Sequence, residues 1–85
     1  MTPDQIQDHL RQHLQDAQVY CKDLTGTQDH WEVTVVSAAF DGKRLLQQHR
    51  MVKDALADKI KDGTIHALSL KTFTPQRWQQ VQSGA

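Results

Sequence analysis

The apolar residues of this chain fall into two rhythms. From Ile6 through Leu10 and Leu14 to Ala17 they recur every three or four positions, which places one stripe along a helix. Thr2-Pro3-Asp4-Gln5 supplies its start: Thr2 can cap, Pro3 suits the first helical position, and Gln5 completes a capping box. The helix is expected to end near Asp16. The rhythm then shortens. Val19, Cys21 and Leu24 stand against polar Tyr20, Lys22 and Asp23, a short strand, and Trp31, Val33 and Val35 alternate with Glu32, Thr34 and Val36, the clearest strand pattern in the chain. The polar loop Thr25-Gly26-Thr27-Gln28-Asp29 between them predicts an antiparallel hairpin.

Phe40-Asp41-Gly42 reads as a turn. Leu45, Leu46, His49, Val52, Leu56 and Ile60 then predict one helix or two short ones on a common apolar face, ended by Asp62-Gly63 with the glycine as cap. A third strand is expected over Thr64 to Lys71. Thr74-Pro75 opens a last helix, with Trp78 and Val81 as anchors and Gln82 to Ala85 as a frayed tail. The order is a small α+β sandwich, one domain over residues 1–85, in which helices cover one face of a three-stranded sheet.

Composition narrows what such a domain can do. With 85 residues, 38% hydrophobic and 24% charged, the chain is ordinary for a folded domain, but leaves no room for a deep enclosed active site. A formal net charge of zero disfavours nucleic-acid binding through a globally basic surface. Cys21 is the single cysteine, which excludes an intramolecular disulfide and an all-cysteine zinc or iron–sulfur site built from one chain. The polar start MTPDQIQDHL and the lack of any long apolar run make a cytoplasmic, non-membrane protein the expectation.

Four sets of residues could carry chemistry. His9 and His13 lie four apart on the first helix, a spacing that suits two imidazoles on one metal, but no third ligand is near and a solvated helix face is the plainer reading. Cys21 shares core parity with Val19 and reads as a buried, inert thiol, with a cluster ligand as the alternative. Gly42, Lys43, Arg44, Arg50 and Lys53 form a glycine turn and a basic helix. Such a segment can meet phosphate, dock a protein partner, or simply face water. His30 falls opposite Trp31 in parity, where the hairpin loop enters its strand, and is expected to be exposed. His66 shares parity with Leu68 and Leu70, which places it at the rim of the core. Spacing alone leaves open whether the two histidines meet. No P-loop, GxGxxG, HExxH or nucleophile constellation is present, so enzymatic activity is not expected.

Two segments carry a more specific signal. VTVVSAAFDGKRLLQQHRMVKDAL and TIHALSLKTFTPQRW closely resemble the BolA family, through a valine-rich strand, S-x-x-F-x-G, H-R-x-V-x-x-x-L, and I-H-A-L-x-L-x-T-x-T-P-x-x-W. The short chain is most similar to the bacterial IbaG (YrbA) branch. The resemblance implies a class II KH-like fold, αββααβα. It also implies a partner, a monothiol glutaredoxin, with which family members share a 2Fe–2S cluster also ligated by glutathione. Carried over, the ligands are His66, from the I-H-A-L motif, and His30, in Asp29-His30-Trp31, with Cys21 as its competitor. The second family role is DNA binding and regulation of transcription through the helix-turn-helix-like segment with Gly42, Lys43, Arg44, His49, Arg50 and Lys53. Many relatives have R-H-R where this chain has Gln48-His49-Arg50, which removes one cation. Alone, the chain is expected to be a monomer or a weak homodimer.

Overall fold

The computed structural model describes residues 2–14 and 16–83. Helix α1 (Pro3–His13) begins as the sequence dictates. Thr2 Oγ1 accepts from the Gln5 amide, and Gln5 Oε1 accepts from the Thr2 amide at 2.9 Å. It ends earlier than Asp16, at His13, with Leu14 as cap. Leu14 and Ala17 are still buried, because the chain beyond the helix turns back under it to enter β1 (Gln18–Asp23). Leu24 falls outside that strand and is half exposed. β1 pairs antiparallel with β2 (His30–Val36), Cys21 opposite Val33.

After β2 the chain makes a 3-10 turn (Ala38–Phe40) that drives Phe40 into the core. A lock joins this corner to the α1–β1 connection. The fully buried Ser37 hydroxyl donates to Asp16 Oδ1 at 2.7 Å, and the Ala38 amide donates to Asp16 Oδ2 at 2.8 Å. The next apolar segment is two helices, α2 (Leu45–Ala55) and α3 (Ala57–Lys61), broken at Leu56. The common apolar face is narrower than expected. Val52, Ala55 and Leu56 are buried, whereas Leu45, Leu46 (72% exposed) and Ile60 face outward. They lie in the first turn of α2 and in the short α3.

Gly63, at φ +84°, ends α3. The Thr64 amide bonds Asp62 Oδ1, the Ile65 amide bonds the Lys59 carbonyl, and Ile65 plugs into the core. Strand β3 therefore begins later than expected and runs Ala67–Phe73, parallel to β2, with Ala67 opposite His30. The crossover through α2 and α3 is what allows parallel pairing. The sheet order is β1-β2-β3. Ile6, Leu10, Trp31, Val33, Val35, Phe40, Val52, Leu56 and Ile65 form one core between the sheet and the helices.

The last helix, α4 (Pro75–Ser83), is capped by Thr74, whose hydroxyl accepts from the Arg77 amide. It does not join the helices over the core face. Trp78 stacks on Tyr20 with ring centroids 5.4 Å apart and tilts against Phe73 at 5.2 Å, and both rings belong to the opposite face of the sheet. Helices thus cover one face fully and one end of the other. Trp78 is the anchor; Val81 is 42% exposed. The helix continues through Gln82 and Ser83, so the expected fraying does not begin there, and Gly84 and Ala85 lie outside the described residues.

Candidate functional site

Parallel pairing brings the starts of β2 and β3 side by side. The first rung is His30 opposite Ala67, so His66 stands next to His30. The two imidazole rings approach with centroids 5.9 Å apart and planes 32° from parallel. His66 is exposed, because Ile65 and not His66 enters the core. The expected rim position is replaced by a solvent-facing one just outside the strand. His30 is half exposed, with 39% of its side chain accessible, in keeping with its parity opposite the buried Trp31.

The loop carrying His30 is tightly determined. The Asp23 carboxylate accepts from the Thr25, Gly26 and Gln28 amides at 3.0–3.3 Å. Gln28 takes a left-handed conformation, φ +60°, and its carbonyl receives the Trp31 indole N–H at 3.0 Å. Asp29 comes next and touches both histidines. Its Oδ1 lies 2.7 Å from His30 Nδ1, and its carbonyl accepts from the His66 amide at 2.7 Å and the Ala67 amide at 3.2 Å. The Thr27 hydroxyl also donates to Asp29 Oδ1. That bond first, and His30 second, hold the Asp29 carboxyl down to about 2. A carboxylate only accepts, so Nδ1 of His30 donates, and in the neutral form of the ring the lone pair lies on Nε2. Asp29 and Thr27 were invisible to motif reading; their signal is the turn chemistry of a polar loop ending in Asp-His.

The remaining candidates separate. Cys21 packs against the core opposite Val33, which lies three residues along β2 from His30. Burial pushes its thiol up to about 11, so it is protonated at neutral pH. His9 and His13 each place Nδ1 on a carbonyl one turn back, Gln5 and His9 respectively. Gly42, at φ +74°, is exposed, as are Lys43, Arg44, Arg50 and Lys53. Lys43 and Arg50 line a shallow hollow with Gln47 and Asp54, whereas His49 turns into a groove between α2, β3 and α4 with Leu45, Leu70 and Arg77.

The described residues thus supply two imidazoles at one corner of a small α+β domain, with no set of three His, Cys, Asp or Glu side chains that could hold a metal by itself. No described helix is long and apolar enough to cross a membrane. This is the architecture of a known class. The chain matches the BolA-like protein family over residues 4–77 and belongs to the BolA family. It is 40% identical over 80 residues to BolA-like protein 2 of Mus musculus, spanning 92% of this chain and 91% of that one. It is 40% identical over 57 residues to the DNA-binding transcriptional regulator BolA of Escherichia coli (strain K12), spanning 67% of this chain and 53% of that one. The solved structure of a BolA protein homologue from Coxiella burnetii superposes with TM-score 0.79 at 31% identity, covering 93% of this chain and 97% of that one.

Proposed function

We propose that this chain is a non-enzymatic, cytoplasmic adaptor in iron–sulfur handling that pairs with a monothiol glutaredoxin and shares a 2Fe–2S cluster with it through His66 and His30. The approach of the two rings to 5.9 Å carries this reading. The donor set fits. A metal bound at about 2.0–2.1 Å to one nitrogen of each ring wants ring centres roughly 5–6 Å apart, and both rings are accessible to solvent. Two ligands complete half of such a centre, so the other half, a cysteine and glutathione, comes from the partner. When bound, the cluster supplies one-electron chemistry, and neutral imidazoles in place of thiolates raise its potential. This chain's part is to present two nitrogens outside its core at one corner of the sheet. The test is reconstitution with a monothiol glutaredoxin, iron, sulfide and glutathione. The visible circular dichroism of the complex is expected to change in His66→Ala and in His30→Ala, and to persist in Cys21→Ser. An unchanged spectrum in His66→Ala rules out that residue as a ligand.

A second reading is a DNA-binding regulator working through residues 42–53. The exposure of Lys43, Arg44, Arg50 and Lys53 favours it, as does the name of the Escherichia coli relative. About four cations predict weak duplex binding with a shallow salt dependence. Unchanged affinity in the double variant Lys43→Glu, Arg44→Glu contradicts it.

A further inference from the structure

We infer that Asp29 is the positioning residue of the two-histidine corner: its carboxylate selects the tautomer of His30 while its carbonyl sets the backbone of His66. The inference rests on the proposed reading of these histidines as ligands, but its first test does not require a cluster. Asp29 hydrogen-bonds both histidines, through Oδ1 to His30 Nδ1 at 2.7 Å and through its carbonyl to the His66 amide at 2.7 Å.

An adjacent Asp–His pair on a surface is by itself a common, loose contact. Here it is not loose, because the carboxylate is held from a second side. Oδ1 also accepts the Thr27 hydroxyl, and Thr27 is bonded in turn to Thr25. The loop is keyed to the core through the indole of Trp31, which is 1% exposed and bonds the Gln28 carbonyl one residue before Asp29. Position therefore passes from the core to Trp31, from Trp31 to Gln28, and from there to Asp29 and both imidazoles. With Nδ1–H committed to Asp29, Nε2 is the His30 atom left to bind a metal. A carboxylate behind a ligating imidazole also makes it a better donor.

The experiment reads the imidazole ¹⁵N resonances of the full-length protein without cluster, at about pH 8, above the usual imidazole titration near 6.5. His30 is expected as the Nδ1–H tautomer. Asp29→Ala is expected to convert it to the Nε2–H form that free imidazole side chains prefer. Asp29→Asn, which keeps an acceptor oxygen, is expected to restore Nδ1–H. Thr27→Val leaves Asp29 in place without its second support and is expected to give a mixture. The His66 and Ala67 amide resonances serve as the folding control, because they report the backbone carbonyl that every variant retains. In the glutaredoxin complex, Asp29→Ala is then expected to lose cluster to a chelator about 10–100-fold faster than the unsubstituted protein. His30 found as Nε2–H, or a tautomer unchanged by Asp29→Ala, overturns the inference. If the cluster spectrum proves indifferent to His30→Ala, the ligand reading fails, and the tautomer result still decides what Asp29 does.

Discussion

Removing the Asp16 carboxylate is predicted to cost more than removing the Ser37 hydroxyl it holds, although the two share one hydrogen bond. Ser37 is fully buried and donates to Asp16 Oδ1 at 2.7 Å, while Asp16 itself faces solvent and takes the Ala38 amide on its other oxygen. In Ser37→Ala the carboxylate keeps the amide and regains water, so the loss is about 1 kcal/mol, that of an ordinary hydrogen bond. In Asp16→Ala the Ser37 proton is stranded in the core and the first turn after β2 loses its anchor. A buried donor without a partner costs about 1–3 kcal/mol, and solvent access on the Asp16 side places the total near ~2 kcal/mol. For a domain of this size that lowers the melting temperature by roughly 8–16 °C. The double variant is expected to fall short of additivity by about 1 kcal/mol. Chemical denaturation of the four proteins at neutral pH measures the cycle. The sign of the pH dependence adds a check. Hydrogen bonds from Ser37 and then Ala38 hold the Asp16 carboxyl below its ordinary 3.8. Its contribution is therefore complete above that unfolded value and is lost as pH falls through the lower folded one. The unsubstituted protein should lose stability more steeply below about pH 4 than Asp16→Ala does. A cost under about 0.5 kcal/mol for Asp16→Ala, or an additive cycle, refutes the lock.

Two further outcomes follow from single positions. Gly63→Ala places a side chain at φ +84°, where the strain is about 1–2 kcal/mol. The new methyl would stand 4.0 Å from His66 Nε2, an ordinary contact, so thermal denaturation should shift while the His66 resonances stay in place; an unshifted melting temperature contradicts this. Cys21 should react slowly with an alkylating reagent at neutral pH, with a rate rising toward a midpoint near 11 rather than near 9.0. Because the folded value is raised, stability is expected to hold below about pH 9 and to decline between there and 11; fast labelling of the folded protein at pH 7 contradicts this.

Element order was legible in the sequence because each element had a local signature: the capping box at Thr2, the alternation around Trp31, and Thr74-Pro75. What escaped was set by distance. Shared parity with Leu68 and Leu70 placed His66 on the strand, at the rim of the core. A glycine-terminated helix and the plug of Ile65 delay the strand to Ala67 and turn the histidine out to solvent. Leu45, Leu46 and Ile60 satisfied helical periodicity, yet whether a stripe is covered depends on what packs against it in three dimensions. Likewise α4 carried correct caps, but nothing local says that it crosses to the other face. The family resemblance singled out His66 and His30 separately; only the parallel register, His30 opposite Ala67, brings them together. Asp29 stayed hidden because its role runs through a carbonyl as well as a side chain, and carbonyls have no sequence code.

The central claim, that two imidazoles of this chain face one iron of a shared cluster, is tested most directly by pulsed electron paramagnetic resonance. The sample is the reduced glutaredoxin complex, prepared with ¹⁵N-histidine in this chain alone. Two strongly coupled ¹⁵N nuclei are predicted in the unsubstituted complex, and one in each of His30→Ala and His66→Ala. A reduced cluster with no histidine coupling from this chain contradicts the account.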